Sequence, residues 1–337
     1  MRNPYTRSAS RSVPAEYAAL EEGAALVDLS RKAILRLTGK DPLGMLDAVL
    51  TNDVPKSGAR GVYALLLNPK GRIQTDLRAL KSAGDVLIDT EPEGVAAAKE
   101  LLGRYAPFSR VKVEDLSEAD TPWGILGLYG PRAKELLDGL ELAEHESAEV
   151  KLGGASLLAA GVAVPVPGYD LLGPADALGK AREHLLERGA APASLGAYET
   201  ARIEAGVPRF GADITPENFP AEAGGVLERA VSFEKGCYPG QETVARMHYR
   251  GHPNKMLYRF ELEPNPAEPT EPGDEILQGE ERVIGPVSTI GVVGWISSVA
   301  PFPVGDRILA LGYLSRKADP DAPMRAEDAT ILRLKPA

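Results

Sequence analysis

Apolar and polar positions fall into two textures along this chain. From about residue 15 to residue 250, short apolar runs alternate with amphipathic stretches, so strands and helices interleave. A helix is expected over 16–26, followed by Val27 and Asp28. An alternating strand follows at 33–37. Asp41 and Pro42 then carry the residue types of an N-cap and a first helical turn. Residues 62–67 and 73–80 read as a hairpin joined by Asn68, Pro69, Lys70 and Gly71, a strong turn signal. Further strands are expected at 86–89, 111–113, 123–129, 156–166 and 169–172, and helices at 92–105, 131–140, 175–188 and 195–205. After Gly251 the texture changes. Short runs at 257–262, 275–277, 283–284, 291–297, 307–314 and 330–334 are separated by Gly and Pro with little helix, the pattern of a small β-barrel. The expected organisation is a tail at 1–14, an α+β module at 15–250 and a C-terminal β-barrel at 251–337.

A length of 337 residues suits two domains with substantial cores. The charge balance, 38 Lys and Arg against 48 Asp and Glu, gives a net charge of −10. A field of that sign repels polyphosphate and argues against a nucleic-acid partner. One cysteine permits no intrachain disulfide, which fits a reducing, cytoplasmic setting. The first residues are polar and basic without an apolar stretch, so no secretory signal is expected. No run is long enough to span a bilayer, so no membrane partner is expected either. The chain lacks a phosphate-binding glycine loop, an H-E-x-x-H and a C-x-x-C. Its four histidines, His145, His184, His248 and His252, lack metal-ligand spacing. Even with His248 brought beside Cys237, the ligands are too few for a structural zinc, and no metal site is expected.

The stretch with most chemistry runs from Phe233 to Glu242. Residues 231–233 read as a strand end, and 241–249 as a helix with Pro239 in its first turn. Cys237 then sits just before a helix N-terminus and two residues from Lys235, both of which favour a thiolate. The alternative is a small hydrophobe buried beneath a turn. On the helix at 195–205, Tyr198 and Arg202 are four apart and share a face. They form either a surface pair of little consequence or an aromatic plate beside a guanidinium, suited to a flat heterocycle with a carboxylate.

Lys235, Gly236, Cys237, Tyr238, Pro239, Gly240, Gln241 and Glu242 match the signature K-G-C-[YF]-x-G-Q-E at every specified position. The chain thereby resembles the YgfZ-type folate-binding proteins, relatives of the glycine-cleavage T protein. Arg202, Glu204 and Gly206 resemble the R-x-E-x-G stretch of that superfamily, and Asn52, Asp53 and Val54 its N-D-V turn. Gly168, Tyr169, Asp170 and Leu171 resemble a segment whose acid binds the pterin ring, with Asp170 one carbon shorter than the usual Glu.

The resemblance implies a T-protein-like module with a central cavity. It implies tetrahydrofolate as cofactor, held by Tyr198, Arg202 and Asp170. It further implies an accessory role in assembling or repairing iron–sulfur clusters, with client enzymes or assembly proteins as partners. Cys237 would be the reactive residue and Lys235 would hold or tune it. Gly71 to Leu77 resembles the T-protein stretch G-G-x-[IL]-D-D-L, whose first Asp carries aminomethyl transfer; Thr75 stands there in this chain. A hydroxyl does not replace a carboxylate as an acid or base, so conventional aminomethyltransferase activity is not expected. Two alternatives are a folate-dependent one-carbon transferase working through Asp76, and a protein scaffold for which Tyr198 and Arg202 are dispensable.

Overall fold

The computed structural model describes residues 13–265, 267–279, 291–326 and 329–337. In chain order, α1 (Val13–Glu22), β1 (Ala25–Asp28) and β2 (Ala33–Gly39) lead to α2 (Pro42–Val49). Next come β3 (Val62–Leu67), β4 (Ile73–Ser82), β5 (Asp85–Thr90), α3 (Val95–Ser109), β6 (Val111–Asp115) and β7 (Trp123–Tyr129). They are followed by α4 (Ala133–Leu136), β8 (Ser147–Leu152), β9 (Ala155–Val162), β10 (Gly168–Pro174), α5 (Ala175–Glu187), β11 (Ala191–Ala193) and α6 (Leu195–Glu204). The short α7 (Val226–Ala230) and α8 (Gln241–Arg250) precede β12 (Lys255–Leu262), β13 (Glu275–Gln278), β14 (Gly291–Val299), β15 (Ile308–Ser315), β16 (Met324–Ala326) and β17 (Ala329–Pro336).

These strands make three sheets. An antiparallel sheet of order β3-β4-β5-β2-β6 packs α2 and α3 on one face, around Leu35, Leu46, Leu66, Ile88 and Leu102. A second sheet of order β11-β1-β7-β10-β9-β8 carries α5 on its outer face, around Leu128, Leu171 and Leu185. Between the sheets lies a shared core in which Ile34, Leu80 and Leu87 of the first meet Val27, Ile125, Leu158 and Leu172 of the second, closed by Ala197 and Ala201 of α6. The third sheet is a closed barrel, β12-β15-β14-β13-β16-β17, filled by Phe260, Leu262, Ile276, Ile296 and Leu314. Closure leaves no strand edge unpaired. The fold is thus a mixed α+β, T-protein-like module with a six-stranded C-terminal barrel.

Several expectations need correction. The first helix ends at Glu22, and Ala25–Asp28 is instead a strand pairing with β7 and β11. The expected tail at 1–14 lies outside the described residues except for Val13 and Pro14, which open α1. The helix expected at 131–140 shrinks to one turn. No strand forms at 231–233. Gly240, at φ +83°, is the residue before α8, so Pro239 lies outside that helix. Two short strands, β8 and β16, were not among those expected, although Ala148, Val150 and Leu152 alternate with polar residues along β8. The run expected at 283–284 lies outside the described residues. The hairpin at 62–80 and the Asp41 cap form as expected: the Asp41 carboxylate accepts from the Gly44 amide at 2.9 Å.

Candidate functional site

A cavity opens between the two sheets, roofed by α6 and the segment 207–209. Its walls are heavily charged. The middle of β4, the end of β5 and the turn after β1 bring together Lys32, Asp76, Arg78, Asp89 and Glu91, and β10 adds Asp170. Arg78 braces Asp89 at 2.8 Å and Asp170 at 2.5 Å, and Lys32 reaches Asp89 at 3.3 Å. Burial acts to raise the Asp89 carboxyl, but Arg78 and Lys32 outweigh it and hold the group below its ordinary range. The cavity measures about 120 Å³, below the about 300–1,000 Å³ of sites that enclose drug-sized ligands. Arg31 and Arg229 line it and are 27% and 34% exposed.

Strand parity decides which acid faces this space. Along β4, Ile73, Thr75, Leu77 and Ala79 are fully buried, while Gln74, Asp76 and Arg78 between them are half-buried. Thr75 is turned into the packing behind the sheet, with its hydroxyl 2.8 Å from that of Thr90 and 2.9 Å from the Asp76 carbonyl. Asp76 lines the cavity and accepts from the Tyr63 hydroxyl at 2.9 Å. Burial raises its pKa from 3.8 to about 6 despite the opposing charge of Lys32. Thr75 therefore faces away from the cavity, and Asp76 supplies a carboxyl there.

Of the three expected folate contacts, Tyr198, Arg202 and Asp170 all reach the cavity wall, in different condition. Tyr198 stacks on Tyr129 with ring centroids 5.3 Å apart, giving a layered aromatic face. Asp170 accepts from Arg78 and from the Tyr129 hydroxyl, and each carboxylate oxygen keeps a second lone pair. Arg202 is committed. Its guanidinium donates to Glu199 at 3.1 and 3.0 Å, to Asp213 at 2.8 Å, to the Val207 carbonyl at 2.7 Å and to the Ser298 hydroxyl at 3.2 Å. A guanidinium has five N–H donors. Arg202 therefore ties α6 to the barrel and has no donor left for a ligand carboxylate.

The K-G-C-Y-P-G-Q-E segment lies apart from the cavity wall, and packing accounts for Lys235, Tyr238 and Gly240. The Lys235 ammonium donates to the carbonyls of Asp47, Leu50 and Asn52 at 2.5, 2.7 and 3.0 Å. Its three donors cap the end of α2, and it makes no hydrogen bond to the Cys237 sulfur. Burial pulls the Lys235 pKa down. Tyr238 plugs a core with Leu65, Ile73 and Val244. A Cβ on Gly240 would come within 2.6 Å of the Asn68 carbonyl, so the β3–β4 turn requires glycine there. Gln241 and Glu242 open α8, and Gly236 is exposed. Cys237 is exposed too, against the alternative of a buried small hydrophobe. His248 stacks on Phe233 at 4.1 Å, and no metal-ligating cluster occurs among the described residues.

Residues that pattern reading missed complete the cavity: Tyr63 on β3, Arg229 on α7, and Glu144 with His145 on the loop before β8. Arg229 pairs with Glu144 at 2.8 Å and lies over the Tyr63 ring at 5.3 Å. A pair 85 residues apart leaves no local signal. Tyr63 was discoverable, since its neighbours Val62, Ala64, Leu65 and Leu66 are all buried and apolar.

Residues 1–235 match the model of the GCVT N-terminal domain family. An aminomethyltransferase of Rubrobacter xylanophilus is 30% identical over 262 residues, covering 74% of this chain and 68% of that protein. One of Moorella thermoacetica is 29% identical over 253 residues, covering 71% and 68%. The glycine cleavage system aminomethyltransferase T of Bartonella henselae superposes with a TM-score of 0.77 at 21% identity, covering 96% of this chain and 88% of that one; at that identity the likeness concerns the fold. No helix among the described residues is long and apolar enough to cross a membrane. With its family model spanning the whole two-sheet module, the chain belongs to the GCVT N-terminal domain family, within the aminomethyltransferase-like folate-binding superfamily.

Proposed function

We propose that this protein binds a reduced folate in the central cavity and acts in the cytoplasm as an accessory factor for assembly or repair of iron–sulfur clusters in client enzymes. The observation that carries the reading is the division of labour within the signature segment. Lys235, Tyr238 and Gly240 serve packing, and Cys237 stands exposed on the loop they hold. An accessible thiol on a rigid loop suits contact with a client or a cluster. Tyr198 on Tyr129 offers a face for a flat ring, and Asp170 an acceptor for ring N–H groups. The direct test is titration calorimetry with tetrahydrofolate, followed by rescue of iron–sulfur enzyme activity in cells lacking the protein. No binding at millimolar ligand sinks the folate half. Full rescue by Cys237→Ser sinks the role given to the thiol.

A second reading has one specific observation in its favour. Asp76 faces the cavity with a pKa near 6, matched to proton transfer at neutral pH, as a folate-dependent aminomethyl transferase requires. The assay is methylenetetrahydrofolate formation in a reconstituted glycine-cleavage system. Turnover abolished by Asp76→Asn would favour this reading over the accessory role.

A further inference from the structure

On the cavity wall formed by Tyr63, Glu144, His145 and Arg229, one polar atom has no counterpart. His145 Nδ1 is buried and makes no hydrogen bond among the described residues. Its ring lies 6.3 Å from the Tyr63 ring, centroid to centroid, and Tyr63 in turn holds Asp76. The other nitrogen, Nε2, lies 3.8 Å from the Glu144 carboxylate. That neighbour favours the tautomer with its proton on Nε2, leaving Nδ1 as an acceptor. Burial lowers the imidazole pKa to about 4, with Arg78 adding to the effect, so the ring is uncharged at neutral pH.

The backbone holds His145 in place. It sits at φ +65°, in the left-handed region. Its amide donates to the Gly161 carbonyl at 2.9 Å, and its carbonyl accepts from the Gly61 amide at 2.8 Å. These two bonds hold the backbone of His145 between β9 and the residue before β3. A buried nitrogen without a partner is costly, and a residue in this conformation adds strain. The two backbone bonds offset the strain, but no group among the described residues satisfies Nδ1.

We propose that His145 is a binding residue of the central cavity, its Nδ1 accepting a hydrogen bond from an N–H group of the ligand. This rests on the folate reading above and deepens it. A neutral acceptor in a cavity that Tyr198 also lines selects a flat heterocycle that presents an N–H at its edge over one that presents only carbonyls. Asp76 and Asp170 are the acidic acceptors of the same space, and His145 adds an uncharged one.

The test uses two variants of the full chain, with tetrahydrofolate as the probe in calorimetry. Glycine adopts φ +65° without strain, so His145→Gly removes the imidazole and leaves the backbone unharmed. Asparagine tolerates the same conformation and places an amide oxygen near the position of Nδ1, so His145→Asn restores the acceptor. The expected result is about tenfold weaker binding for His145→Gly, which corresponds to about 1.4 kcal/mol. His145→Asn should stay within threefold of the wild type, and both should keep the wild-type melting temperature or exceed it. Wild-type affinity in His145→Gly overturns the assignment and leaves the folate reading standing. Equal losses in both variants overturn the acceptor role. No binding by the wild type removes the folate reading, and this assignment with it.

Discussion

The ammonium of Lys235 meets the carbonyl of Asn52 at 3.0 Å, and the side-chain amide of Asn52 donates to the carbonyls of Tyr63 at 3.0 Å and Arg229 at 2.9 Å. Through this pair the base of the Cys237 loop is fastened to two residues of the cavity wall. The lysine of the signature segment is therefore a strut beneath the cysteine. Its charge is spent on the end of α2.

Lys235→Met keeps the aliphatic stem and removes the ammonium, stranding three carbonyls. The Lys235 side chain is 1% exposed, so little solvent softens the loss. Chemical denaturation should show a destabilisation of about 1.5–3 kcal/mol, the range for hydrogen bonds to charged groups. A change below about 0.5 kcal/mol would return Lys235 to a role in tuning the sulfur.

Cys237→Ser should behave in the opposite way. The residue is exposed, and surface substitutions clear of special features stay within about 0.5 kcal/mol. In the native wild type the thiol should label with iodoacetamide at the rate of an accessible cysteine. Labelling that requires unfolding would contradict the exposed position.

Asp76 carries a pH dependence whose sign can be fixed. Its folded pKa is raised from 3.8 to about 6, so the folded protein holds this proton more tightly than the unfolded chain. The associated stability is complete below about pH 4 and is lost as pH rises through 6. Asp76→Asn, which cannot ionise, should be more stable than wild type above pH 6 by on the order of 2–3 kcal/mol. That margin should shrink to nothing near pH 4. Denaturation curves of both proteins from pH 4 to 8 measure it, and a margin that does not vary with pH would falsify the assignment.

Arg202→Met removes the centre of a buried ionic cluster and leaves Glu199 and Asp213 without their guanidinium. The expected loss is about 3–5 kcal/mol of stability, seen as a lower melting temperature with or without folate. Tyr198→Leu removes one of two stacked rings. Its effect should fall on tetrahydrofolate affinity more than on melting. Intact stability in Arg202→Met, coupled with lost binding, would restore Arg202 as a ligand contact.

These contrasts mark how far the sequence could be read. The hairpin at Asn68–Gly71, the Asp41 cap and the barrel texture rest on local rules of turn chemistry and spacing, and they formed. Asp76 was within reach by the same kind of rule. In β4, Thr75 belongs with Ile73 and Leu77, and Asp76 with Arg78, once the strand is read by alternate residues. Matching letters to a motif hid that parity. The fate of Arg202 and Lys235 was not legible. Their partners, Ser298 for one and Asp47 for the other, lie 96 and 188 residues away and are brought close only by the folded chain.

The barrel takes part in the cavity without lining it. Ser298 holds Arg202, Ser297 donates to Asp213 at 2.6 Å, and the Tyr313 hydroxyl donates to the Asp213 carbonyl at 2.9 Å. Ile203 of α6 is packed among Leu257, Leu309 and Leu311. The helix that presents Tyr198 to the cavity is thus clamped from outside by β14 and β15. Such interlocking couples the two parts, and a single melting transition is the expected outcome. Dissecting the chain at residue 251 would unmoor α6, and with it the aromatic face of the cavity.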